Sequence, residues 1–424
     1  MADLLALSAR IIDEGDLTER VNRLTGELSE LADDVAVVEA FSHVIAFRTA
    51  DGLVLFDTSV AGFGPRVLES LRAWAPDDPV HTMVYTHGHV DHVGGASVFV
   101  DEAAARGFPR PRVVAHENVP ARFERYDLTN GYNAAINRRQ FGRDMLTFFD
   151  EWVQPDLTYE ASMDLSVGGL DMTLHHGRGE TDDHTWTWIP SLRAITAGDF
   201  LIWAFPNAGN PQKVQRFPGE WARAMRDMAA MEPELYLPAH GLPVAGRDRI
   251  TGVLDDVATA LEGLVRDTLT LMNDGARLDQ IVAEVRVPEA LLAKPYLRPT
   301  YDEPEFVVRN IWRLYGGWWD GNPATLKPAP DAALASEIAA LAGGALALAE
   351  RGRALAAAGG DANLRLACHL VEHAALAAPD DAAVHAARAE VYEARRTTEL
   401  SLMSRGIYAD AAAQSHKISE HSDR

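Results

Sequence analysis

Residues 86–95 read Thr86-His87-Gly88-His89-Val90-Asp91-His92-Val93-Gly94-Gly95. Three histidines and one aspartate fall within six residues, directly after the apolar run HTMVY. A loop leaving a strand can turn such groups toward one point. Neutral imidazoles and a carboxylate are good ligands for zinc-like divalent ions, and the glycines let the backbone pass close by. A plain polar surface loop rarely carries four ligand-type side chains in the order His-x-His-x-Asp-His.

Working outward, DDVAVVEAFSHVIAFRTADGLVLFDTS (33–59) holds two β-branched runs around the turn dipeptide Asp51-Gly52. VLESLRAWA reads as a short helix, and PRVVAHENV as a strand followed by a loop. Strands return in MDLSVGGLDMTLHH, HTWTWIP, AITAGDFLIW and ELYLPAHG. Strands alternating with helices predict a layered α/β domain ending near residue 250. Ahead of it, Leu4, Leu5, Ile11, Ile12, Leu17, Val21 and Leu24 recur at roughly helical spacing and predict a helical arm over 3–30. After it the pattern turns helical, from ITGVLDDVATALEGLVRDTLTLMNDG onward. The Ala-rich remainder predicts three helices, 332–357, 361–377 and 381–403, resembling a tetratricopeptide-type stack, and then a frayed polar tail.

The 424 residues carry a formal net charge of −23. That balance makes phosphate backbones and anionic membrane surfaces poor partners, so neither nucleic acid nor membrane is expected. The single cysteine, Cys368, cannot form an intramolecular disulfide. With no run of 18 apolar residues and no signal-peptide pattern at the N-terminus, a cytoplasmic setting is the expectation.

The loop motif, with the upstream GLVLFDTS element ending on Asp57, resembles the metallo-β-lactamase superfamily over residues 35–250. The resemblance implies an αββα sandwich that holds two divalent ions, zinc by expectation. In such hydrolases the equivalents of His87 and His89 bind one metal, and those of Asp91 and His92 the other. A bridging acid and a terminal histidine follow, matched here by Asp199 in ITAGDFL and His240 in LYLPAHG. The middle ligand, usually histidine, aligns with Glu180 in HHGRGETDDHT. A glutamate there is similar to the alkylsulfatase branch, as is the nineteen-residue spacing to Asp199. That branch often bridges with Glu, whereas this chain has Asp. The expected metal set is therefore His87, His89, Asp91, His92, Glu180, Asp199 and His240. The alternatives are His184 as third ligand with Glu180 behind it, or a contribution from His175 or His176. His116 is a weaker candidate.

Two neighbouring divalent ions lower the pKa of a water and stabilise a leaving oxygen, which is hydrolysis chemistry. Asp91 and Asp199 are the candidate catalytic acids that orient that water or take its proton. An acidic protein must collect local positive charge to hold an anionic substrate. The stretch after Asp199 offers Asn207, Asn210, Lys213 and Arg216 without an intervening acid. Asn210, Lys213 and Arg216 are the expected substrate-binding donors, with Trp203 and Phe205 lining an alkyl path. In alkylsulfatases this region also binds sulfate, although its local sequence differs.

RLYGGWWDGNPATLKPAP resembles the alkylsulfatase dimerisation region through Tyr315, Gly317, Trp318, Trp319, Asp320, Gly321, Asn322, Pro323 and Leu326. The expected organisation is a catalytic domain over 1–250, an all-α dimerisation domain of helical hairpins over 251–410 and a polar tail over 411–424. The family's C-terminal lipid-binding-like domain is not expected. The implied protein is a homodimeric dinuclear metal hydrolase acting on a small anionic ester, most simply a sulfuric ester hydrolase. The alternatives are another esterase of the same fold (lactonase, thioesterase or phosphodiesterase), or a non-enzymatic helical interaction protein.

Overall fold

The computed structural model describes residues 3–16, 18–142, 148–149 and 151–421. The first sheet holds β1 (Leu28–Ala32), β2 (Val35–Val38), β3 (Val44–Thr49), β4 (Gly52–Phe56), β5 (Val80–Val84), β6 (Arg112–His116) and β7 (Leu157–Tyr159), in that order. Strands β1 to β4 pair antiparallel, and β4 to β7 run parallel. The second sheet holds β8 (Ser162–Val167), β9 (Leu170–His176), β10 (Thr185–Ile189), β11 (Ala194–Thr196), β12 (Leu235–Leu237) and β13 (Val244–Ala245). Here only β11 and β12 run parallel.

The unbroken apolar runs have a direct cause: both faces of the first sheet are covered, so both alternating sets of side chains are buried. Val35, Val37, Ile45, Phe47, Val54 and Phe56 meet Met172, Leu174, Ile189 and Leu237 of the second sheet. Val38, Val44, Ala46, Leu53 and Leu55 instead pack with Val67, Leu71 and Phe99, which come from helices Gly64–Trp74 and Ala96–Arg106. The second sheet's outer face is covered by helices Pro218–Ala230 and Arg247–Asn273, through Trp221, Met225, Leu254 and Leu261. The result is the expected αββα sandwich.

Several expectations change. The N-terminal helix runs only over Leu4–Glu14, capped by Asp3 and stopped by the left-handed Gly15, and Leu28–Ala32 is a strand. Leu17 lies outside the described residues. The Ala-rich segment breaks at Gly343 and Gly344, both at positive φ, into Asp331–Leu341 and Ala345–Ala358. Helices Asp361–Ala377 and Ala382–Thr398 follow as expected. The segment expected as a frayed tail is helical through His421, within Leu402–His421, and Ala412 is buried in it.

The chain divides into two compact units. The first takes in both sheets, helix Arg247–Asn273 and residues 280–317; the second takes in residues 277–279 and the chain from Trp318 onward, with the helix from Gly131 to Phe141. The expected division at 250 does not coincide with these units, because Ile250, Val253, Val257 and Leu264 of the long helix are buried in the sandwich's own outer layer. In the second unit, Leu348, Ala349, Ala374, Val384 and Ala387 form one small-residue core. Among the described residues no single helix is long and apolar enough to cross a membrane.

Candidate metal centre

The site lies where parallel strands end. Asp57 follows β4, the His87–His92 loop follows β5, Asp199 follows β11 and His240 follows β12. The β9–β10 connection supplies Glu180. Close approach is built into the glycines. A Cβ on Gly95 would lie 2.1 Å from the Thr58 carbonyl oxygen. Gly198 has φ +51°, and a Cβ there would lie 2.6 Å from His184 Nε2.

Two groups of three ligand atoms converge: His87, His89 and Asp199, and Asp91, His92 and His240; within each group the atoms lie within 4.8 Å of one another. His92 Nε2 is 3.4 Å from Asp199 Oδ1 and 3.6 Å from Asp91 Oδ2. His240 Nε2 is 3.3 Å from Asp91 Oδ2 and 3.5 Å from Asp199 Oδ1. Asp199 thus reaches both groups, since its Oδ2 is 3.8 Å from His87 Nε2. Glu180 Oε1 stands 3.7 Å from His89 Nδ1. His92 Nε2 and Asp199 Oδ1 are buried without a hydrogen-bond partner. Buried polar atoms are normally paired, and imidazole and carboxylate donors left open toward one point suit a divalent cation.

Charge has been gathered here at a cost. Burial, reinforced by the neighbouring imidazoles, holds His87 well below the usual imidazole range. Burial also disfavours a charged His92, but Asp199, Asp57 and Asp91 outweigh it and raise its pKa well above the usual value. Burial pushes Glu180 up to about 7 despite the opposing Arg216.

The groups behind the ligands fix their orientation. Asp57 Oδ1 accepts from the Thr86 N–H at 2.7 Å, and its Oδ2 accepts from Thr86 Oγ1 at 2.8 Å and from His92 Nδ1 at 2.7 Å. That bond holds the Nδ1 proton in place, so Nε2 is the nitrogen turned to the convergent point, and a cation bound there would displace any proton on it. Asp183 Oδ2 accepts from the Gly88 N–H at 3.0 Å and from Arg122 Nε at 2.7 Å. His43 accepts the Ala40 N–H on Nδ1 and donates from Nε2 to the Gly241 carbonyl at 2.7 Å. The sequence reading noted Asp57 without a role and missed His43, Arg122 and Asp183. The Asp57 signal was its place at the end of an apolar strand; the others carry no local pattern.

Of the alternative ligands, His184 turns Nε2 to accept the Asp199 N–H at 3.1 Å and stacks on Phe200. His175 stacks on Trp186, and His176 stacks on His116. None of the four belongs to either convergent group, and neither does Glu180, which stands beside the first group with its Oε1 3.7 Å from His89 Nδ1. In the expected substrate loop, Arg216 Nη1 is 3.0 Å from Glu180 Oε1, and Asn207 Nδ2 donates to the same oxygen at 2.5 Å. Asn210 is buried, and Lys213, pushed down to about 8 by burial and then by Arg216, feels the charges of Glu180 and Asp91. Trp203 and Phe205, expected along an alkyl path, are sunk in the core. Trp203 donates Nε1 to the Leu242 carbonyl at 2.8 Å, and a Cβ on Gly241 would meet its ring at 2.2 Å.

Residues 37–240 match the family model of the metallo-β-lactamase superfamily, and residues 277–417 match that of the alkyl sulfatase dimerisation region. The sandwich is thus similar to the metallo-β-lactamase superfamily, and the helical region to the alkylsulfatase dimerisation region. It is 29% identical to a linear primary-alkylsulfatase of Pseudomonas over 74% of this chain and 62% of the relative. It is 25% identical to an (R)-specific secondary-alkylsulfatase of Pseudomonas over 96% of this chain and 66% of the relative. The chain therefore spans less than two thirds of the length of either. Among solved structures, a stereoselective inverting sec-alkylsulfatase from Pseudomonas superposes with a TM-score of 0.83, covering 92% of this chain and 66% of that one at 24% identity.

Proposed function

We propose that the chain is a dinuclear zinc hydrolase that cleaves the sulfate ester of an organic alcohol to the alcohol and inorganic sulfate. The observation that carries this is the convergence of two ligand groups beside a donor loop, in a chain similar to alkylsulfatases over most of its length. His87, His89 and Glu180 would hold one ion, and Asp91, His92 and His240 the other, with Asp199 bridging. When bound, the ions would lower the pKa of a water and stabilise negative charge on the departing oxygen.

The protein's own groups do the rest. Asp91 and Asp199 accept hydrogen bonds from the attacking water and orient it. Asn210 and Lys213 hold the sulfate oxygens. Arg216, already on Glu180, adds charge from behind and completes the clamp. Lys213 and Arg216 place local positive charge at the site, within a chain whose net charge of −23 repels an anionic ester at long range. The dimerisation region supports a homodimer, and the lone Cys368 supports a reducing, cytoplasmic setting.

The test is inorganic sulfate release from a panel of primary and secondary alkyl sulfates, with a lactone, a thioester and a phosphodiester alongside. Release from alkyl sulfates by the metal-loaded protein is expected, and its loss in His87→Ala and Glu180→Ala. Turnover of another ester with no sulfate release would replace the substrate assignment.

A further inference from the structure

The stretch Phe205–Arg216 contains no helix or strand, yet Asn207, Asn210 and Arg216 in it are buried. Side chains on such a loop are only as well placed as its main chain, so what fixes that main chain matters. Three holds come from one downstream segment, some 93 residues further along the chain. At the start, the Phe205 N–H donates to the Arg298 carbonyl at 2.8 Å. In the middle, the Gly209 N–H donates to Asp302 Oδ2 at 2.7 Å. At the end, Asn310 brackets Arg216: its Oδ1 accepts the Arg216 N–H at 3.2 Å, and its Nδ2 donates to the Arg216 carbonyl at 2.9 Å. The same Oδ1 accepts from Gln215 Nε2 at 2.9 Å. The loop also lies hard against the helix Pro304–Tyr315, since a Cβ on Gly209 would be 2.2 Å from the Val307 nitrogen.

Asp302 is fully buried, and burying a carboxylate is expensive. Its two oxygens take two main-chain N–H groups, that of Gly209 and, at 2.8 Å, that of Glu303. An apolar residue would leave both donors unsatisfied, which explains a carboxyl group at this position.

We infer that Asp302 and Asn310 are positioning residues for anion recognition: they hold the main chain beside Asn210 and Arg216, and so set how tightly the sulfate group is gripped. The inference rests on the sulfatase reading for the identity of the anion. Neither residue touches a convergent ligand, so grip should change while the metals stay.

The experiment compares metal-loaded wild type with Asn310→Ala, Asp302→Ala and Asp302→Asn, the last retaining one oxygen acceptor. Inorganic sulfate is titrated calorimetrically, metal content is measured, and KM and kcat are taken on an alkyl sulfate. In Asn310→Ala and Asp302→Ala the sulfate Kd and KM should rise about tenfold, as for loss of a buried hydrogen bond. Asp302→Asn should recover part of this. The kcat should stay within about threefold, metal content should be unchanged, and amide exchange over 205–216 should quicken. Sulfate affinity and exchange at wild-type levels in all three variants would overturn the inference. So would falling metal content or kcat at constant KM, which would mark the two residues as general scaffold. If wild type hydrolyses no sulfate ester, the sulfatase reading falls, while sulfate affinity and exchange still decide the anchoring.

Discussion

Replacing Asp57 by Asn tests whether a residue that touches no ion governs ion binding. The side chain is fully buried and takes three hydrogen bonds, one of them from His92 Nδ1 at 2.7 Å. An amide of the same shape can still accept the Thr86 N–H on its oxygen. Its NH2 then faces His92 Nδ1, which must become an acceptor. The imidazole proton moves to Nε2, the atom that now lies unpartnered 3.4 Å from Asp199 Oδ1. A protonated Nε2 cannot ligate. Loss of such a supporting partner costs about 10–100-fold in metal affinity, or ~1.4–2.8 kcal/mol at ~1.4 kcal/mol per decade. Competitive titration of the apo-protein with a chromophoric chelator measures this, with circular dichroism as the control for folding. One of two sites should weaken by that factor while the other holds. A folded Asp57→Asn protein binding both ions with wild-type affinity would refute the tautomer argument.

Other outcomes follow from the same geometry. Burial and Arg216 bring Lys213 down to about 8, so its charge is present below that pH and lost above it; sulfate affinity should fall between pH 7 and 9, and Lys213→Met should flatten the profile. Burial first, then His240, depresses His43 from the ordinary imidazole value of 6.5 to about 4. A depressed histidine contributes stability that is present above its unfolded pKa and lost as pH falls through the window from 6.5 toward 4. About 2 kcal/mol should therefore disappear by pH 5 in denaturant titrations, at ~1.36 kcal/mol per unit, and His43→Gln should remove that part of the slope. Gly198→Ala places a Cβ 2.6 Å from His184 Nε2 at a positive φ; a loss of about 2–3 kcal/mol by thermal unfolding is expected.

The sequence made the candidate centre readable where its proposed ligands are local. His87, His89, Asp91 and His92 share one loop, so spacing alone exposed them. Glu180, Asp199 and His240 are scattered, and only the resemblance to a family pointed to them. The supporting groups were invisible for a physical reason: His43 bonds a carbonyl 198 residues away, and Asn310 bonds Arg216 across 94 residues. Neither pairing leaves a periodic or compositional trace. Trp203 misled because an aromatic residue after a ligand reads as a substrate wall, whereas its indole packs the His240 turn at φ +53°. The sandwich was legible from its doubly buried strands. Its outer helix Arg247–Asn273 was read as a new domain because amphipathicity names a buried face but not what covers it.

Metal content per chain, measured by mass spectrometry on protein purified without chelator and again after dialysis against one, bears most directly on the central claim. About two divalent ions per chain are predicted, removable by chelator and restored by zinc, with stoichiometry reduced in His87→Ala and His240→Ala. A folded protein that takes up no divalent ion under any of these conditions would contradict the account.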